Sequence, residues 1–445
     1  MADDTSTQST LSSRGLALAS QPSYRTWATP YIKNMYDPKD NPNGFINLGA
    51  AENYIMLPWM VDFTNKHFNA TPNIFSYDQG AWGSSRLRAA LAKHMNRYFH
   101  PVEAINPDDL LVANGCMSLC EMLAFSLFSP GDGILISRPC YSAFESDFGT
   151  RAGVKCVYAS FHGEDQFSPK GAVQGYENAF QEAQASGTTI RALLICHPHN
   201  PLGQPYPPET LIALMQFCEK HKIHLISDEI YALSTYTLPA TPPDSSSTST
   251  PTTPPVPFRS ILTIPNREKY IHPSRLHLLY GMSKDLAAGG LRIGTLHTLN
   301  PELWRCLSAM NLFHWIPVPV DALATAMLED SAWLDAFLAE SQSKLAEASM
   351  LTRELLREKG IPFWEAGRAG FFLWVDLRKW LAGTGKEDLW EAERVVDGWF
   401  KEGGVHLTSG EGMKAEEAGW FRVVFSYDEE TLREGLGRMF KALGV

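Results

Sequence analysis

YGMSKDLAAGGLRIG, residues 280–294, is the stretch on which the reading of this chain turns. Lys284 stands between Ser283 and Asp285, and Gly289, Gly290 and Arg292 follow within eight residues. Alone, a lysine in such a setting is an ordinary solvated charge. It becomes a covalent catalyst only where burial and neighbouring cations keep its amine neutral. What surrounds Lys284 in space therefore decides the matter.

Around it, short apolar runs alternate with helical patterns. GILIS (133–137), KCVYAS (155–160), ALLICH (192–197), HLISDE (224–229), LHLLYG (276–281) and RIGTLH (292–297) are β-rich. SLCEMLAFSLF (118–128) and ETLIALMQFCEKHK (209–222) carry helical periodicity between them. Strands apolar on both faces, alternating with helices, predict an α/β fold with a mostly parallel sheet covered on both sides. After about residue 330 a long amphipathic helix is expected, with Leu334, Leu338, Leu345, Ala348 and Leu355 near one stripe and Gly360 and Pro362 as its stop. FFLWVDL (371–377) and WFRVVFSY (420–427) then suggest a smaller α+β C-terminal domain.

The expected organisation follows. Residues 1–22 read as a disordered arm, 23–75 as an N-terminal segment packing on the small domain, 76–330 as the large domain and 331–445 as the small one. Within the large domain, LPATPPDSSSTSTPTTPPVP (238–257) reads as a flexible insertion, since Pro, Ser and Thr cannot build a core.

Composition excludes several function classes. Of 445 residues, 44% are apolar and 20% charged, an ordinary globular profile. A net charge of −11 without a basic, aromatic-studded run argues against nucleic acid. No apolar run approaches the roughly 20 residues of a membrane span. The acidic, Ser/Thr-rich start lacks a secretory or transit pattern, and seven scattered cysteines form no Cys-x-x-Cys pair, so a reduced, cytoplasmic protein is expected. His197 and His199 in HPHN lack further ligands at useful spacing, so no metal is expected.

In open α/β sheets, ligands bind beyond the carboxyl ends of the strands. Tyr141 follows GILISRPC, Asn200 lies in HNPLG after ALLICH, Asp228 and Tyr231 lie in SDEIY, and Lys284 follows LHLLYGMS. Each has a plain structural reading: a turn, a cap, a half-buried aromatic, a surface charge. Arg422 is different, because a guanidinium inside the apolar strand WFRVVF is costly unless paired, by a ligand or by a structural salt bridge.

The ordered set HNPLG, SDEIY, SKDLAAGGLRIG and GWFRVVF resembles fold-type I pyridoxal-phosphate enzymes, the class I/II aminotransferases, and among them the branch with 1-aminocyclopropane-1-carboxylate (ACC) synthases. The resemblance runs from about residue 44 to the C-terminus. It implies a seven-stranded-type sheet, pyridoxal 5'-phosphate as cofactor and a homodimer with shared active sites. By the same resemblance Lys284 holds the cofactor as a Schiff base and moves the substrate's Cα proton. Asp228 pairs with the pyridine nitrogen, Tyr231 and Asn200 bond the phenolic oxygen, and Tyr141 stacks on the ring. The phosphate falls to the backbone of Cys116, Met117 and Ser118, where a turn precedes a helix, with Ser283 and Arg292; without the resemblance, that turn is only a helix cap. Arg422 is assigned the substrate carboxylate, with Asn200 beside it, and Tyr77 in FSYDQG reaches the partner subunit's phosphate.

Two features bear on the reaction. Glu52, in NLGAAENY, matches the acidic residue that ACC synthases place near the substrate, or is a helix-start residue ahead of Pro58. Gly281 stands where the family usually has a serine, and NLFHWIPVP (311–319) places Phe313, His314 and Trp315 where ACC synthases carry small and polar groups, which is expected to reshape the pocket. These departures resemble fungal relatives of specialised metabolism. An aminotransferase acting at Cα of an amino acid or amino-acid-derived intermediate is the leading reading; a lyase breaking a Cβ–S bond, ACC synthase, and a non-catalytic cofactor-binding protein are the alternatives.

Overall fold

The computed structural model describes residues 9–21, 32–77, 80–239 and 256–445. Twelve strands are found among them, in chain order β1 (Ile46–Asn47), β2 (Leu110–Ala113), β3 (Gly133–Ser137), β4 (Lys155–Ala159), β5 (Ile190–Cys196), β6 (His224–Asp228), β7 (Leu276–Gly281), β8 (Gly294–Thr298), β9 (Phe372–Asp376), β10 (Val405–His406), β11 (Thr408–Ser409) and β12 (Trp420–Val424). Seven of them form one sheet in the order β2-β8-β7-β6-β5-β3-β4. The α/β expectation holds.

Why the sheet is buried on both faces can be read along each strand. Leu110 and Val112 enter one core cluster while Leu111 and Ala113 enter another, on the opposite face. Leu193 and Ile195 alternate with Ala192 and Leu194 in the same way, as Leu278 does with Leu279. Each leucine, isoleucine or valine among them contributes roughly 1.5–3 kcal/mol by burial. Helices Ser85–Phe99, Pro169–Ala185 and Pro208–His221 cover one face, and Cys116–Leu127 and Pro301–Met310 the other.

Sheet direction places the site. Strands β3 to β7 run parallel, whereas β8 is antiparallel to both β7 and β2. Strand β8 therefore begins at the edge where β7 ends, with Gly281 opposite Gly294. Arg292, two residues before β8, is thereby returned to the end of the strand that leads to Lys284.

The C-terminal part builds a second sheet, β11-β12-β9, antiparallel throughout, and β10 pairs in parallel with β1. A third cluster holds it, with Ile46, Leu48, Phe371, Val375, Phe400, Phe421 and Val423 buried together. The long helix runs Ser331–Glu358, capped by the Asp330 carboxylate, with Leu334, Leu338, Leu345 and Ala348 buried.

Within the supposed unstructured arm, Ser13–Ala19 forms a short helix capped by the Ser12 hydroxyl, with no buried residue; local hydrogen bonds suffice for it. Residues 1–8 and 22 of that arm, and 240–255 of the Pro/Ser/Thr insertion, lie outside the described residues. Among the described residues, no helix is long and apolar enough to cross a membrane.

Candidate active site

At the carboxyl edge of the large sheet lies a cavity of about 380 Å3. Its wall carries Glu52, Cys116, Met117, Tyr141, Asn200, Asp228, Tyr231, Ser283, Lys284 and Arg292, together with Cys120, Phe144 and Asp147. A wider cleft of about 900 Å3 opens at the opposite edge, where Arg191 pairs with Asp132 at 3.3 Å and His221 lies 3.0 Å from Glu177.

Lys284 sits in a single turn, Met282–Asp285, at the end of β7. Its neighbour fixes that turn. Asp285 is buried and accepts from the Leu233 N–H at 2.9 Å and the Ser234 hydroxyl at 2.6 Å. With the aspartate pinned inward, Lys284 faces the cavity and donates to the Ala51 carbonyl. Burial, then Arg422 and Arg292, push its ammonium down to about 8, against the opposing pull of Glu52. An amine with that property is available as a base or nucleophile near neutral pH.

Asp228 closes β6 and is buried. Burial raises its carboxyl to about 7, resisted by the Ile230 N–H at 3.3 Å and by Lys284. A carboxylate so poorly solvated gains from any cationic N–H brought to it. Tyr231 is held edge-on against Phe371 and Phe372, with ring centroids 5.5 and 5.4 Å away. Tyr141 packs edge-on against Phe144 at 5.3 Å, its phenol pushed up to about 12 by burial.

Arg422 lies behind the cavity, on β12 opposite Thr408 and Trp374. Its guanidinium donates to Asn200 Oδ1 at 2.8 Å and to the Gly49 carbonyl, and stands over the Phe372 ring at 5.2 Å. Its partners are neutral oxygens, and Nε is buried with no hydrogen-bond partner. The structural salt bridge considered from sequence is not formed among the described residues. A buried guanidinium held only by neutral acceptors keeps its charge uncompensated by any carboxylate of the described residues.

A backbone cradle at a helix start, the kind of place where anions bind, lies on the same wall as Lys284. Gly115 precedes helix Cys116–Leu127 and provides no side-chain cap, so the helix start meets the cavity at Cys116 and Met117. Gly115 has φ +102°, and a Cβ there would stand 2.5 Å from Arg292 Nη2. The glycine thus lets the guanidinium lie over the turn. Gly281 is explained in the same terms: a Cβ would come within 2.6 Å of the Ile293 carbonyl and 3.1 Å of Cys116 Sγ. No serine fits there.

Ser118 and the segment at Phe313 stand apart from the cavity wall, and Tyr77 lies on the surface of this chain. Ser118 is outside the cavity wall, because its N–H donates to the Gly115 carbonyl at 3.1 Å within a tight first turn. Tyr77 is 87% exposed, and its ring rests against Trp315 with centroids 5.9 Å apart. Phe313, His314 and Trp315 do not line this chain's cavity. Instead the His314 carbonyl accepts from the Asn114 N–H at 3.0 Å and its ring lies 3.2 Å from Glu121, so the segment braces the cradle from behind. Sequence reasoning passed over Asp147, Gly115 and the Thr408–Gly49 support of Arg422. Only Gly115, in ANGCMS, carried a local signal.

A low-pKa amine, a buried carboxylate and a helix start with an adjoining arginine fit a pyridine aldehyde that bears a phosphate. The profile of the family "Aminotransferase class I and II" matches residues 44–439. The mouse "1-aminocyclopropane-1-carboxylate synthase-like protein 1" is 32% identical, over 98% of this chain and 84% of its own length. The "Probable aminotransferase gliI" of Aspergillus fumigatus is 32% identical, over 90% and 89%. ACC synthase 2 of Cucurbita pepo is 29% identical, over 92% and 80%. In fold the chain is similar to a Thermus thermophilus aspartate aminotransferase mutant, with TM-score 0.72 at 19% identity, covering 98% of this chain and 100% of that one. The chain belongs to the class I and II aminotransferase family, fold-type I enzymes whose cofactor is pyridoxal 5'-phosphate.

Proposed function

We propose that this protein transfers the amino group of an α-amino acid, or of an intermediate derived from one, to a 2-oxo acid. When bound, pyridoxal phosphate supplies an electron sink for a carbanion at Cα. The chain's own residues do the rest. Lys284 would hold the cofactor through its aldehyde and, once free, would take and return the Cα proton. Asp228 would keep the ring nitrogen protonated, Tyr231 and Asn200 would donate to the ring oxygen, and Tyr141 would cover the ring. The helix start at Cys116 and Met117, with Ser283 and Arg292, would hold the phosphate.

The observation that carries the reading is Arg422, a buried guanidinium with an unpartnered Nε, set behind the same cavity as a lysine whose ammonium is lowered to about 8. A carboxylate and an amine one carbon apart are what an α-amino acid offers these two groups. The Aspergillus relative, a probable aminotransferase, supports transfer as the outcome. Glu52 favours a second reading, an elimination of the ACC synthase kind, because it lines the cavity and acts on Lys284. A Cβ–S lyase shares the same first steps.

Exposed aromatic residues near the cradle support a homodimer as the working form. Phe75, Tyr77 and Phe313 are 80%, 87% and 85% exposed. Such a patch on a monomer marks an interface.

The test is an incubation of the holoenzyme with a panel of amino acids, with and without a 2-oxo acid, S-adenosylmethionine included. Acceptor-dependent oxo-acid formation supports transfer. Acceptor-independent ammonia and pyruvate, or ACC, would replace it with elimination.

A further inference from the structure

Asp147 is a third carboxylate in the cavity, after Asp228 and Glu52, and one that the scheme above leaves unused. It lies on the short helix Phe144–Gly149, is 7% exposed and lines the same wall as Asp228 and Lys284. Among the described residues no lysine, arginine or histidine pairs with it; the groups acting on it are the Asp228 carboxylate and the Ser146 hydroxyl. From the other packed elements it faces Tyr141, Cys120 of helix Cys116–Leu127 and Cys156 of β4, all neutral near pH 7. A buried carboxylate without a cation is costly unless it is protonated.

Two neighbouring carboxylates in one poorly solvated cavity do not both ionise near neutral pH, and the less supported of the two keeps the proton. Support is unequal here. Asp228 has the Ile230 N–H and the charge of Lys284 on its side. Asp147 has one neighbouring hydroxyl and is repelled by Asp228. We propose that Asp147 is a positioning residue that holds the proton of the Asp147–Asp228 pair, leaving Asp228 as the anion that meets the cofactor's ring nitrogen. This deepens the reading above and rests on it for the second half of the statement. The first half, which carboxyl holds the proton, concerns the protein alone.

The sign of the effect follows. Burial and Asp228 raise the Asp147 carboxyl to about 7, so it is neutral in mild acid and charged above neutrality. Once charged, it competes with Asp228 for the ring nitrogen and adds negative charge to a cavity that an anionic cofactor must enter. Asparagine in its place is neutral at every pH and nearly isosteric. Wild-type apoenzyme and Asp147→Asn, titrated with pyridoxal 5'-phosphate, are therefore expected to agree within about twofold at about pH 6, and wild type to bind about tenfold more weakly than the variant by about pH 9. A ratio of dissociation constants that does not change with pH overturns the proposal. So does an infrared difference spectrum of the two apoenzymes near neutral pH in which no protonated-carboxyl band is lost with Asp147. Failure of wild type to take up the cofactor at any pH would sink the parent reading, and the infrared arm would still decide for or against Asp147.

Discussion

Arg422 on β12 donates a 2.8 Å hydrogen bond to Asn200 Oδ1, which joins the C-terminal sheet to the carboxyl edge of the large one. That contact holds the guanidinium beside the cavity while leaving Nε without a partner. Lysine at this position keeps the charge and loses the fork. Arg422→Lys is expected to raise KM for the amino acid about 10- to 100-fold, the loss of charge-assisted hydrogen bonds worth about 1.5–3 kcal/mol, with a smaller change in kcat. An unchanged KM would remove Arg422 from substrate binding.

The lowered ammonium of Lys284 gives a pH profile with a definite sign. Because burial and the two arginines depress it to about 8, the neutral amine that reacts with an aldehyde becomes populated as pH rises through that value. The rate at which apoenzyme takes up pyridoxal phosphate, followed by absorbance, is expected to climb about fivefold from about pH 7 to about pH 8 and to level off above about pH 9. A profile still rising steeply beyond about pH 10 would belong to an unperturbed lysine.

Gly281→Ser restores the residue usual in the family and is expected to harm this chain. The added Cβ meets a backbone carbonyl, Ile293, at 2.6 Å, which neither strand can yield without disturbing the β7–β8 pairing. Thermal or denaturant unfolding is expected to show a loss of about 1–3 kcal/mol. A variant as stable as wild type would show that the strands give way easily.

Phe313→Glu places a charge in the exposed aromatic patch. Sedimentation is expected to shift from dimer to monomer, and cofactor affinity to fall with it, while the monomer stays folded because Phe313 supports no core cluster. A variant that sediments as wild type would place the contact between subunits elsewhere.

Much of this architecture was legible because strands buried on both faces announce themselves by unbroken apolar runs. GILIS, LHLLYG and the long helix from Ser331 sit where periodicity places them. The β2 strand, LLVA, was not singled out, since four apolar residues leading into a helix carry no strand-specific signal. Polar residues just past strand ends led to Asn200, Asp228 and Lys284, which share one cavity wall. Asp147 escaped notice because its burial depends on how helix Phe144–Gly149 packs, not on any local pattern. The direction of β8, and with it the position of Arg292, depends on pairing that a single strand does not encode. The bulk of NLFHWIP could be read, but not which way it points.

The central claim is that Lys284 carries the cofactor. Borohydride reduction of the holoenzyme, followed by peptide mass spectrometry, tests it most directly. The account predicts one phosphopyridoxyl group, on the peptide containing Lys284, and its absence in Lys284→Ala. A label on another lysine, or one that persists in that variant, would contradict it.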